Sequence, residues 1–388
     1  MAEQMTSINY EMLKWARENS GTSIEEAYEK FGKVKIDAWE AGNEYPTYAQ
    51  LRSLSDYYRK PMAVFFFPHP PKMKNLQASC RTLPTELYSL FNRELVFEIN
   101  KARAMQLNLY ELYNDKNPAL VRFSDCVFDT KNIKKAADQL RRLLSAPLYE
   151  QKKIRKMDDY FEYWRDKFYN VGIFVFKAPF NDLEVSGFCL YDDEFPVIFI
   201  NNTYSHTRQV FTLFHEIFHL MAKTSGLDIF DDKELTQLTI GENAYIESSC
   251  NRFASVFLVP DDDFTANYVG IDPHNDDDIK KLASLYSVSR EVILRKIKDR
   301  GDISNDEYIL RAEKYNFEYF RVANKNKNNK GGGDYYNNQV TYKGNRYIEA
   351  AYTKYYERKI SISQLSNYMG MSIPNLETLA ARKGWISI

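Results

Sequence analysis

The stretch Val210–Ala222, VFTLFHEIFHLMA, is almost wholly apolar, yet it carries His215, Glu216 and His219 in its middle. A helix that is apolar all round is normally buried. Three ionisable side chains buried there without partners would cost several kcal/mol. Histidines four residues apart lie one turn above each other on one helix face, with the glutamate projecting beside them. That H-E-x-x-H spacing lets two imidazole nitrogens reach one Zn2+ while the glutamate acts on a water that the ion polarises. A metal removes the cost of burial, so the segment predicts a buried, zinc-binding helix.

A catalytic zinc site takes a third protein ligand and leaves a position open. The longer pattern H-E-x-x-H-x-x-G-x-x-H is excluded, because position 222 is Ala and position 225 is Ser. The acidic residues downstream are Asp228, Asp231, Asp232, Glu234, Glu242 and Glu247. The first four fall in an expected loop, where charge is ordinarily solvated. Glu247 lies on a second expected helix, NAYIESSCNRFASVFLV, in line with Cys250, Ala254 and Leu258. It therefore points to the apolar side, where a carboxylate needs a partner such as zinc. Asn251, one turn on, is placed to hydrogen-bond a ligand histidine from behind. Tyr204 and His206, both expected in a loop, are the nearest candidates for stabilising an oxyanion.

Around this helix the hydrophobic period changes. VGIFVFKAP, VSGFCLY and FPVIFINN, ending near Asn201, are short, β-branched and aromatic, and read as three strands of one sheet. Upstream, INYEMLKWAREN and SIEEAYEKF read as helices, the second opened by a capping box of Ser23 and Glu26. Residues 72–170 read as mainly helical. Downstream, residues 276–301 and 360–380 each suggest a helix-turn-helix, and NKNKNNKGGGDYYNN, residues 324–338, reads as a flexible loop or linker.

Charge excludes little but directs expectation. With 52 basic and 53 acidic side chains, no global field points to nucleic acid or a membrane surface. Cys80, Cys126, Cys189 and Cys250 form no CxxC pair, which suits a reducing compartment rather than a disulfide framework. The N-terminal residues lack a signal-peptide pattern, and no apolar run is long enough to span a bilayer. A soluble, cytoplasmic protein is expected.

RQVFTLFHEIFHLM followed by IESSCNRFASVFLVP resembles the ImmA/IrrE family of zinc metallopeptidases, and the N-terminal segment resembles an XRE-type helix-turn-helix. The resemblance implies His215, His219 and Glu247 as zinc ligands, in the gluzincin manner, and Glu216 as the catalytic residue. It also implies an α+β fold: a zincin-like domain of small sheet plus H-E-x-x-H helix, an all-α N-terminal bundle and a mainly helical C-terminal region. The expected boundaries are 1–71 for the bundle, 72–170 for a helical connector, 171–300 for the peptidase and 301–388 for the C-terminal region. Its familiar members cleave helix-turn-helix repressors, and some lie beside toxin genes. The expected partner is thus a protein substrate, a repressor or a toxin, with an oligomer open. A substrate strand would add to the sheet edge formed by VIFIN.

The alternative is a DNA-binding regulator or antitoxin with a structural or conditionally active zinc site. Residues 1–60 carry ten acids and eight bases, a poor footprint where phosphate contacts dominate affinity. TYAQLRSLSDYYRK offers Arg52, Arg59 and Lys60 to phosphates. Residues 305–388 carry thirteen bases and eight acids, interleaved with tyrosine, and are the more favourable segment for nucleic acid.

Overall fold

The N-terminal periodicity produces four helices, α1 (Tyr10–Asn19), α2 (Ile24–Phe31), α3 (Lys33–Glu40) and α4 (Tyr48–Tyr57), then a 3-10 turn at Met62–Phe66. Ser23 Oγ accepts the Glu26 amide at 3.1 Å while Glu26 accepts the Ser23 amide at 2.7 Å, the reciprocal cap its spacing predicts. A single residue, Gly32 at φ +92°, turns the chain from α2 into α3, a conformation glycine adopts without a Cβ clash. Met12, Ala16, Trp39, Leu51, Leu54 and Phe65 form the core. The half-buried Arg17–Glu40 fork, at 2.8 and 3.0 Å, ties α1 to α3.

The computed structural model describes residues 4–70, 93–180, 185–224, 226–229, 242–329 and 334–384. The chain forms two compact units, residues 1–103 with 180–182, and residues 104–179 with 183–388. These divisions differ from the expected boundaries after 71, 170 and 300. The first unit continues into α5 (Arg93–Tyr113) because Glu94 pairs with Arg59 at 2.7 Å and Asn100 bonds the Asn19 carbonyl.

The second unit continues through α6 (Ile133–Leu143), α7 (Leu148–Lys153) and α8 (Met157–Asn170) to a mixed sheet. Its strands are β1 (Phe174–Ala178), β2 (Val185–Leu190), β3 (Val197–Asn201) and β4 (Gly226–Ile229). Their order is β1-β3-β2-β4, with β1 parallel to β3 and the other pairs antiparallel. This corrects the sequence reading in two respects: a fourth strand joins the three, and VIFIN is β3, flanked on both sides and no edge. Hydrophobic pattern marks strands but not their neighbours, and Gly226–Ile229 is too short for its alternation to register.

α9 (His206–Met221) crosses one face of this sheet, and α10 (Glu242–Leu258) packs on α9. Gly187 permits the approach of α9: a Cβ there would lie 2.5 Å from Thr212 Cγ2 and 2.9 Å from the Phe199 carbonyl oxygen. Phe214 and Phe257 stack at 4.3 Å, with Trp164 edge-on to Phe214 at 4.9 Å. These rings fix the spacing of the two helices that carry the site. His206 opens α9, capped by Ser205, rather than lying in a loop as expected.

α11 (Asp261–Asn267), α12 (Asp276–Tyr286), α13 (Arg290–Asp299) and α14 (Asn305–Asn329) follow. The C-terminal helices are α15 (Tyr335–Lys343), α16 (Asn345–Tyr356), α17 (Ile362–Met369) and α18 (Ile373–Arg382). On the other sheet face Phe188 and Phe199 stack, and Phe176 meets Tyr347 of α16. The expected flexible loop at 324–338 is also corrected, since α14 runs to Asn329 and α15 begins at Tyr335. Once a helix is nucleated, each further residue adds a hydrogen bond without a new nucleus, so even the asparagine-rich residues 324–329 extend it. The glycines of that stretch, Gly331, Gly332 and Gly333, lie outside the described residues. Among the described residues, no helix is long and apolar enough to cross a membrane.

Candidate metal centre

α9 presents His215, Glu216 and His219 to the interior, at 1%, 0% and 3% exposure. Facing them, α10 supplies Glu247, one turn before Cys250 and Asn251, with Glu247 and Cys250 both buried. His215 Nε2 lies 3.1 Å from Glu247 Oε2, His219 Nε2 lies 3.3 Å from Glu247 Oε1, and the two Nε2 atoms are 3.3 Å apart. One donor atom from each of His215, His219, Glu247 and Cys250 falls within 4.8 Å of the others.

Hydrogen bonding from behind fixes which nitrogen faces inward. His215 Nδ1 lies 3.1 Å from Asn251 Oδ1, and an amide oxygen only accepts, so Nδ1 carries the proton. Thr224 Oγ1 donates to the His219 carbonyl at 3.1 Å, leaving its oxygen to accept from His219 Nδ1 at 3.5 Å. Both Nε2 atoms are thereby turned toward Glu247. Burial alone would raise the Glu247 carboxyl; positive charge at the two imidazoles would reverse this and hold it well below the usual carboxylate range, but with both Nδ1 atoms protonated the rings are neutral. The buried carboxylate must be matched by positive charge, and the place left for that charge lies between the two Nε2 atoms and Glu247.

A zinc ion fits there. Tetrahedral N and O donors about 2.0–2.1 Å from zinc are about 3.3 Å from one another, the spacing these three side chains already have. Two imidazoles and a carboxylate also form an ordinary donor set for this ion.

Two features around the cluster carried no signal in the sequence. Gly226, at the start of β4, lies flat against His219, so that a Cβ there would fall 2.2 Å from Cδ2 of the ring. Cys189 of β2 accepts the Gly226 amide at 3.1 Å. Burial pushes its thiol pKa well up, reinforced by the charge of Glu216 and a hydrogen bond to it. Cys189 is thus held as a protonated thiol, with the Thr224 carbonyl 3.9 Å from its sulfur.

Of the residues singled out in the sequence, His215, Glu216, His219, Glu247 and Asn251 converge. His206 does not join them, since it pairs with Asp158 at 3.0 Å, and Tyr204 is buried in the segment before α9. Nine residues of helix place His206 roughly 13 Å along the axis from His215. Asp228 lies in β4, whereas Asp231, Asp232 and Glu234 lie outside the described residues.

No curated protein compared with the chain matches it. Residues 169–298, which contain the sheet, α9, α10 and all four clustered side chains, match the family model of the IrrE N-terminal-like domain, peptidase M78, so this part of the chain is similar to a metallopeptidase domain.

Proposed function

We propose that the chain is a zinc-dependent endopeptidase of regulatory type, which hydrolyses a peptide bond in a specific protein substrate such as a transcriptional repressor. The observation that carries this reading is the convergence of His215, His219 and Glu247 at metal-ligand spacing, with Glu216 buried beside them on α9. The match of residues 169–298 to a peptidase domain supports it independently.

His215, His219 and Glu247 hold the ion, and Asn251 and Thr224 orient the two rings. When bound, zinc supplies Lewis acidity toward a peptide carbonyl and toward water. Glu216 takes a proton from the attacking water and delivers it to the departing amine. β4 is the edge strand beside His219, so an extended substrate segment adds there rather than at β3.

Elemental analysis of purified wild type, His219→Ala and Glu247→Gln tests the site. About one zinc per wild-type chain, lost in both variants, is the expected result under a three-ligand centre. Wild type that holds no zinc even after reconstitution would end the proposal. Glu216→Gln, retaining zinc but not turnover, then serves as the trap for the substrate.

A further inference from the structure

We infer that Cys250 is a fourth ligand of the metal, so that the resting centre is closed by two nitrogens, one oxygen and one sulfur from the chain itself. The inference rests on the metal-centre reading above and adds a residue to it. Cys250 stands three residues after Glu247 on α10, which puts both side chains on one helix face. It is fully buried, and its Sγ lies within 4.8 Å of the donor atoms of His215, His219 and Glu247.

The geometry separates this cysteine from its neighbour. Cys189 is also buried nearby, but its sulfur is committed to the Gly226 amide and to the Thr224 carbonyl, and it does not belong to the four-donor group. A zinc–sulfur bond of about 2.3 Å puts sulfur about 3.5 Å from nitrogen donors in a tetrahedron. Cys250 therefore needs to close by roughly 1.3 Å at most, which a χ1 rotation together with a slight shift of α10 supplies. The other three donors already stand at the required spacing.

Coordination exchanges the Cys250 S–H bond for an S–metal bond and releases the proton to the buffer. Four protein donors leave no position for the water on which Glu216 acts. The centre is then latent, and a substrate carbonyl or water must displace the thiolate, which takes a proton back from solvent as it leaves. A structural closed site and a catalytic open one would thus be two states of one centre.

Loading the full-length chain with Co2+ tests the assignment without a substrate. Visible d–d bands report that the ion is bound, and an intense near-ultraviolet thiolate-to-Co2+ charge-transfer band reports sulfur ligation. The expected result is both signals in wild type, with the charge-transfer band lost in Cys250→Ala and kept in Cys189→Ala. Visible bands without a charge-transfer band in wild type would overturn the fourth ligand while leaving the three-ligand centre standing. A band that disappears in Cys189→Ala instead would assign the sulfur to the wrong residue and overturn it equally. No visible bands at all would remove the metal centre and this inference together. Should Cys250→Ala fail to fold, zinc-edge X-ray absorption of Cys189→Ala decides the point: a sulfur neighbour at about 2.3 Å supports Cys250, and only lighter neighbours refute it.

Discussion

Asn251 illustrates how much of the centre depends on side chains that never touch the ion. Its Oδ1 accepts from His215 Nδ1 at 3.1 Å, which turns Nε2 inward. Removing such a partner typically costs 10–100-fold in metal affinity. Asn251→Ala is expected to weaken zinc binding by about that range while leaving the fold intact, as competition with a chelator of known affinity would read. An unchanged affinity would mean the ring is held by packing alone. A second residue, Lys177 of β1, is buried over the Phe161 ring at 3.4 Å. Burial, aided by the nearby Arg165 charge and opposed by Glu162 and Asp158, lowers its pKa from 10.5 to about 7. The unfolded chain therefore binds more protons than the folded one between about pH 7 and 10.5, so stability from this group rises with pH across that window and its cost is complete below it. Lys177→Met is expected to stabilise the protein most below pH 7 and progressively less toward pH 10.5, measured by denaturant unfolding at several pH values. A gain independent of pH would mean that only shape had improved. His215, Glu216 and His219 were legible in the sequence because one helix sets their relation through spacing alone. Glu247 was legible because its own helix pointed it inward. Cys250 lay in the same line, but its role as a donor depends on how closely α10 approaches α9, and that distance is set by the stacking of Phe257 on Phe214, a contact across 43 residues that no local pattern announces.

At the level of elements, the approach of α9 to the sheet is controlled by two glycines. Gly187 admits Thr212, and Gly226 admits the His219 ring. A methyl group at either position overpacks the interface, which typically costs about 1–3 kcal/mol, but the two should differ in what they disturb. Gly226→Ala pushes its methyl into the ring of a ligand histidine, at 2.2 Å from Cδ2. It is expected to lower zinc affinity more than it lowers the stability of the metal-free protein. Gly187→Ala, which meets Thr212 and the Phe199 carbonyl instead, is expected to do the reverse. Paired thermal unfolding and zinc titration of both variants would show the crossing, and parallel losses in both would refute it. The same region shows why strand order escaped the sequence. β1, β2 and β3 announce themselves by composition, yet β3 sits between the other two because β1 pairs with it in parallel, and such a register is decided by the helices that cover the sheet. The polar run at the end of α14, residues 324–329, misled for a related reason. Its composition is that of a linker, but it inherits helical geometry from the turns before it.

For the molecule as a whole, the open question is whether the N-terminal bundle reads DNA or meets protein. Its net charge is already unfavourable, with ten acids against eight bases over residues 1–60. The structure reduces the supply further. Arg17 is forked to Glu40, Arg59 is paired with Glu94, and Lys60 bonds Asn19 Oδ1 at 2.6 Å with its pKa lowered by burial. Two of the three cations that the fourth helix segment offered are thus occupied within the unit. Lys14, Lys30, Lys33, Lys35 and Arg52 remain exposed, and even if all five met phosphates the salt slope would reach only about −4.5. The same helices expose Val34 and Tyr48, surface better suited to a protein. We therefore expect the triple variant K33A/K35A/R52A of the full chain to bind duplex DNA within twofold of wild type at every salt concentration, by fluorescence anisotropy. The salt slope should be unchanged as well, because any attraction would come from the basic C-terminal residues. A tenfold loss of affinity, together with a slope shallower by about 2.7 units as three lost phosphate contacts require, would instead make the bundle a DNA-binding module.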